Sequence, residues 1–245
     1  MSKLFLYQNV RAYYPSRARL IMAEKDVPFV GINVDVEAGE TLPKFLKLDS
    51  SVEIPVLIHG SQVITDSQDI VEYVDNIDTP LGDGIVDPIV VDKWSRLVSD
   101  WDGNVFIVAN CRPVPRTLEK YAASNILDRR ASGKKPIINR PSRQAMRNNR
   151  EHLDLVLNMV QSQLLLSPFI AGDSYTRADV MLTVLLYCLV VSNRGDLLTG
   201  RDSIIAYLRR IQNRPSFATT FLNPYSIRKE AVFKCNRSVG NRKNS

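Results

Sequence analysis

Two short segments of this chain carry residues whose types and spacing suit an amino-acid ligand. Ile54-Pro55 leads into the branched run Val56-Leu57-Ile58-His59, and Asp66-Ser67 opens an apolar-periodic stretch. Proline cannot donate to a sheet ladder, so Pro55 belongs at a strand start or edge, where a cis bond is also open to it. Asp66-Ser67 sets a carboxylate and a hydroxyl beside the free N–H groups that every helix leaves at its N-terminus. Such a group can take both the ammonium and the carboxylate of an amino acid.

The elements that must position these residues follow from periodicity. Residues 3–7 predict a strand and 16–25 a helix of good helix formers, with Ser16 at its start as N-cap. Phe29 to Val36 alternates as a strand, and 42–48 forms a short helix with Pro43 in its first turn. Gly60-Ser61 fits a two-residue hairpin turn joining the strands of 55–65. A helix over 67–76 then buries Ile70, Val71 and Val74. The order is βαβαββα within residues 1–78. Thr79-Pro80-Leu81-Gly82-Asp83-Gly84 punctuates the chain, giving a linker over 79–87.

Everything after the linker is helical. Residues 88–110 form an amphipathic stretch with Trp94 and Trp101, 143–166 keeps helical spacing, and 177–191 is apolar nearly all round, as in a helix buried on every side. Ile204, Leu208 and Ile211 mark another that stops before Arg214-Pro215. Pro113, Pro115, Pro136 and Pro141 prevent 112–142 from being one helix. Thr176-Arg177-Ala178-Asp179 is a capping-box variant at the head of the buried helix, so Thr176 and Asp179 read as folding residues. The expected architecture is an α/β domain followed by an all-α domain over 88–225.

At 245 residues the chain can bury two sizeable cores. Its three cysteines, Cys111, Cys188 and Cys235, and its two histidines, His59 and His152, form no disulfide or metal pattern. Met1 to Tyr7 lacks the segments of a signal peptide, and no apolar run is long enough to span a bilayer, so a cytoplasmic protein is expected. Charge is uneven: an insert at 112–150 carries +9, a tail at 226–245 carries +5, and the rest −8. The basic segments either keep loops solvated or meet an anionic membrane surface. Few aromatics interleave with them, which argues against nucleic acid.

Taken together, Ile54-Pro55, Asp66-Ser67 and Thr176 to Asp179, in this order, make the chain resemble the cytosolic glutathione transferases over almost its whole length. Leu20 to Lys25 and Ile54 to Gly60 are similar to the ganglioside-induced differentiation-associated proteins. Phe169 to Gly172, Thr176 to Leu182 and Gln212 to Ser216 are similar to the plant class named after tetrachlorohydroquinone dehalogenase. The resemblance implies a thioredoxin-like βαβαββα domain followed by a helical domain, a dimer, and glutathione as co-substrate with a small electrophile. It also implies that Ile54 and Pro55 meet the cysteinyl part of glutathione and that Asp66 and Ser67 hold its γ-glutamyl end.

Departures from the family pattern bear on the chemistry. Transferase catalysis needs a donor near the glutathione sulfur, because a free thiol titrates near 8.5 and only its thiolate attacks. Aligned without gaps to serine-type members, that position is Ala12, which has no donor. Ser16 is the hydroxyl near the helix start, and Tyr7 fits the tyrosine-type pattern at the end of the first strand, so both stand as catalytic candidates. Tyr13 and Tyr14 either line a second-substrate pocket with Trp101 and Phe106 or cover the loop. Glu53 stands where the family carries Lys or Gln for the glycyl carboxylate, and Val52 replaces a turn glycine. These departures favour a second reading, a non-catalytic member acting through membrane-surface or protein binding. Thiol–disulfide exchange would need a cysteine in the 8–16 loop, which has none.

Overall fold

The computed structural model describes residues 3–10, 12–34, 42, 53–99, 143–191 and 194–222. Four strands, β1 (Leu4–Gln8), β2 (Phe29–Asn33), β3 (Val56–His59) and β4 (Gln62–Ile64), form one mixed sheet in the order β2-β1-β3-β4. β1 runs parallel to β2 and antiparallel to β3, and β3 pairs antiparallel with β4. A parallel pair needs a crossover, and α1 (Tyr13–Glu24) supplies it between β1 and β2. Gly60 turns the β3–β4 hairpin with φ +62°, the left-handed conformation that primed two-residue turns require at this position. α2 (Ser67–Asp75) follows and buries Ile70, Val71 and Val74 as expected. The short helix expected over 42–48 lies outside the described residues except for Leu42.

Several expected boundaries differ, β1 and α2 by one residue and two others by more. α1 begins at Tyr13 rather than Ser16. Pro15 falls in its first turn, where N–H groups have no intrahelical partner, so the proline starts the helix without breaking it. The N-cap is therefore Ala12, and Ser16, read as an N-cap, sits inside the helix with its hydroxyl donating to the Ala12 carbonyl at 2.8 Å. β2 ends at Asn33, although the Val34 N–H still reaches the Gln8 carbonyl at 2.7 Å.

The helical part comprises α3 (Pro88–Ser99), α4 (Arg143–Leu166), α5 (Arg177–Val191) and α6 (Asp202–Gln212). A short 3-10 turn (Gly195–Leu198) precedes α6, and a short turn (Pro215–Phe217) running into a wider one (Ala218–Leu222) follows it. α5 is buried along most of its length, packed by α3, α1, α2 and α6. Its head is held by Asp179, whose carboxylate accepts from the Thr176 N–H at 2.9 Å, the Ile170 N–H at 3.0 Å, the Thr176 hydroxyl at 3.1 Å and the Tyr207 hydroxyl at 3.1 Å. The capping box is thus carried by the acid alone, with the threonine hydroxyl serving as a donor to it.

Because α1 lies between the sheet and α5, its Ala18, Leu20, Ile21 and Met22 are fully enclosed, and even Arg17 and Arg19 are buried. Ion pairs tie the two halves of the molecule together. Buried Asp75 on α2 receives Lys25 and Arg177, and Arg177 also meets Asp92 on α3. Arg214 clasps Glu24 at the end of α1 through two nitrogens, and the Ser216 hydroxyl donates to the same carboxylate. Among the described residues no helix is long and apolar enough to cross a membrane. The basic segments 112–142 and 226–245 lie outside the described residues. Within α4, Arg147 and Arg150 of the insert pair with Glu151 and Asp154 one turn on.

Candidate functional site

α2 owes its start to Asp66. This residue has extended backbone, and its Oδ1 accepts from the Gln68 N–H at 2.6 Å and the Asp69 N–H at 3.2 Å. Asp66 is therefore the N-cap, and Ser67 is the first residue of the helix rather than its cap. Among the described residues Oδ2 of Asp66 takes no hydrogen bond, which leaves it for a cation. Ser67 is buried, yet its hydroxyl sits beside the positive end of the helix, where anions are favoured.

The β3–β4 register brings the two segments together. Leu57 lies opposite Ile64, so the hairpin points Pro55 towards Asp66. The Ile54–Pro55 peptide bond is cis. Ile54, Pro55, Asp66 and Ser67 all line one cavity of about 340 Å³, with Glu53 at its rim and Ser99 of α3 across from them. Four of the residues chosen from sequence thus converge on one space.

Arg17 and Tyr14 of α1 also line it; the sequence offers Tyr14 for a second-substrate pocket but does not single out Arg17. Arg17 Nη1 donates to Ser67 Oγ at 3.4 Å and Nη2 to the Tyr13 hydroxyl at 3.0 Å. Its guanidinium lies 4.9 Å from the centre of the Tyr13 ring and 5.3 Å from that of Tyr14, a cation–π stack that substitutes in part for lost hydration. Its Nε is buried and has no partner. Among the described residues no carboxylate lies within ion-pairing distance of Arg17. A buried cation without a counter-charge is costly, and an anionic ligand at Ser67 would relieve that cost. Sequence spacing alone shows Arg17 as one more good helix former. The signal that could have found it is burial, visible only once Ser67 is placed 50 residues away.

The two hydroxyls considered for catalysis sit elsewhere. Ser16 is buried, donates to Ala12 and accepts from Arg19 Nη2 at 2.9 Å, so its hydroxyl is already committed. Tyr7 on β1 lies opposite Val56 and packs in a small apolar cluster with Ala12, Val34, Ile54 and Val56. Neither residue is in the cavity lining itself. Tyr13 is buried, and burial pushes its phenol above the ordinary value, so it stays protonated. Tyr13 therefore packs while Tyr14 faces the cavity. Trp101, Phe106 and Val52 lie outside the described residues.

A second cavity of about 300 Å³ opens on the other side of α2, between Glu72, Arg96, Arg177 and Met181. None of the residues read as functional from sequence lines it.

Known proteins resemble this chain in sequence and fold. Residues 13–77 match the family model described as glutathione S-transferase, N-terminal domain. Over 233 residues the chain is 25% identical to the glutathione S-transferase TCHQD of Arabidopsis thaliana, covering 86% of this chain and 87% of that one. It is 26% identical to the tetrachloro-p-hydroquinone reductive dehalogenase of Sphingobium chlorophenolicum, covering 91% of this chain and 98% of the enzyme. Among solved structures, glutathione transferase F2 from Populus trichocarpa superimposes with a TM-score of 0.68 at 25% identity, over 91% of this chain and 99% of its own.

Proposed function

Because this chain belongs to the glutathione S-transferase superfamily, we propose that it is a glutathione transferase, conjugating glutathione to, or exchanging it at, a small electrophile. The observation that carries this reading is the meeting of Asp66, Ser67 and Arg17 with Ile54 and Pro55 in one cavity. Asp66 Oδ2 faces the γ-glutamyl ammonium. The Ser67 hydroxyl and backbone N–H and the Arg17 guanidinium face its carboxylate, while the Gln68 and Asp69 N–H groups stay with Asp66 Oδ1. The cysteinyl part then lies along Ile54 and Pro55.

In the reaction the thiol gives up its proton, the sulfur forms a bond to an electrophilic carbon, and a leaving group such as halide departs with the electron pair. The protein's task is to favour the thiolate; each unit by which it lowers the thiol pKa is worth about 1.4 kcal/mol. Ala12 supplies no hydroxyl at the position serine-type members use. Of the two catalytic candidates, Tyr7 is better placed, because it shares a cluster with Ile54 while Ser16 is committed to Ala12 and Arg19. The positive field of Arg17 acts in the same direction.

We further read the protein as cytoplasmic and dimeric, with residues 1–78 as its glutathione-binding unit, 79–87 as linker and 88–225 as its helical unit. The basic insert and tail are read as a surface for anionic lipid. Calorimetric titration of reduced glutathione into the wild type and Asp66→Ala tests the central claim. Saturable binding lost in the variant supports it, and absence of binding to folded wild type overturns it. Salt-sensitive co-sedimentation with anionic vesicles tests the lipid surface.

A further inference from the structure

The cavity is electrically polarised, and its polarity does not match all of glutathione. Among the described residues three charged side chains line it: Arg17, Asp66 and Glu53. Arg17 bonds the Ser67 hydroxyl and Asp66 precedes Ser67 in the chain, so together they match a zwitterionic amino-acid head, one anionic and one cationic group. Glu53 stands apart from them, next to Ile54 on the side away from the hairpin turn, and is exposed. A tripeptide spans about 10 Å when extended. With its head at Ser67 and its middle residue along Ile54 and Pro55, its tail reaches the neighbourhood of Glu53. Glutathione ends there in a carboxylate, so like charges meet.

We propose that the preferred co-substrate is a γ-glutamyl-cysteinyl thiol whose terminal carboxylate is masked, as an amide or as a conjugate to an amine. The inference rests on the glutathione-site reading above and specifies its substrate class. Glu53 is then a specificity-determining residue: it disfavours an anionic tail and tolerates a neutral one. Because Glu53 is exposed, solvent screens the repulsion, and the expected discrimination is modest, about three- to tenfold in affinity.

The experiment titrates two compounds, reduced glutathione and its C-terminal glycine amide, into wild type and Glu53→Gln. In the wild type the amide is expected to bind about three- to tenfold more tightly than glutathione. Glu53→Gln should tighten glutathione by the same factor, leave the amide unchanged and abolish the preference. Raising salt to molar concentration should shrink the wild-type preference without removing binding of the amide. Equal affinities in the wild type, tighter binding of glutathione, or a preference that survives Glu53→Gln overturns the proposal and leaves the glutathione site standing. Binding of neither compound to folded protein overturns both. Thermal melting of Glu53→Gln checks that the exposed substitution leaves the fold intact.

Discussion

The guanidinium of Arg17 donates to the hydroxyl of Ser67 at 3.4 Å, joining α1 to the first turn of α2 across 50 residues of sequence. Ser67 is thereby polarised towards any anion at the head of α2, and Arg17 is held ready beside it. Arg17→Lys keeps a charge but loses the planar fork and its stacking on Tyr13 and Tyr14, whereas Arg17→Met keeps only the bulk. Hydrogen bonds to charged groups contribute about 1.5–3 kcal/mol. We expect glutathione affinity to fall about tenfold or more in Arg17→Met and by less in Arg17→Lys, read by calorimetry. Unchanged affinity in Arg17→Met would remove Arg17 from the site.

Asp66 caps α2 through Oδ1 alone, so its capping role and the proposed ligand role of Oδ2 can be separated. Asp66→Asn keeps an oxygen for the Gln68 and Asp69 N–H groups and removes the negative charge. Asparagine caps about as well as aspartate, so its melting temperature should stay near that of the wild type. Asp66→Ala should cost about 1 kcal/mol of stability as well. Both should lose glutathione binding. If Asp66→Asn binds as the wild type does, the ammonium is held elsewhere.

How much of this was legible in the sequence differs by element. The bounds of α4 and α5 match the expected 143–166 and 177–191, because apolar periodicity marks the first and a continuous apolar run behind a capping motif marks the second. The start of α1 was misread because Pro15 and Ser16 look like a helix boundary, while the first turn tolerates a proline. Asp66 and Ser67 were visible through helix-start chemistry, although which of them caps α2 was not. Arg17 was not visible as a site residue at all. Nothing local distinguishes a solvated helical arginine from one buried against the head of α2.

Tyr7 and Ser16 make opposite predictions. The Ser16 hydroxyl bridges the Ala12 carbonyl and Arg19, so Ser16→Ala should lower stability by about 1–2 kcal/mol and leave the thiol pKa of bound glutathione unchanged. Tyr7→Phe should raise that pKa, seen as a shift to higher pH in the thiolate absorbance of the complex and in the pH–rate profile. A shift with Ser16→Ala and none with Tyr7→Phe would exchange their roles.

Glu24 and Arg214 fasten the end of α1 to the end of the helical part, with Arg214 also stacked 4.0 Å over the Tyr175 ring. The Glu24 side chain is 4% exposed and that of Arg214 is 33% exposed, so only one partner is fully desolvated. Removing the cation strands a buried carboxylate, which retains only the Ser216 hydroxyl among these partners. Arg214→Ala should destabilise by about 2 kcal/mol, below the cost of breaking a fully buried pair because Arg214 reaches solvent. Chemical denaturation reads it, and Glu24→Gln combined with Arg214→Ala should recover part of the loss.

Asp179 gives the fold a pH dependence of unusual sign for an acid. Burial is the largest influence on its carboxyl, and despite four donors it lifts the pKa from 3.8 to about 6. Between those values the folded chain holds a proton that the unfolded chain has released. Stability contributed by this group is therefore complete below about pH 4 and is lost as pH rises through about 6, by about 3 kcal/mol in all. Carboxylates in ion pairs act in the opposite direction, so the total curve mixes both. Asp179→Asn isolates the term: it cannot titrate, and it loses an acceptor for the Thr176 or Ile170 N–H, which lowers stability at every pH. The stability difference, wild type minus Asp179→Asn, should shrink as pH rises from 4 to 6.5 and then level off. A difference that is flat across this range would mean that Asp179 is already ionised at pH 4, held so by its four donors.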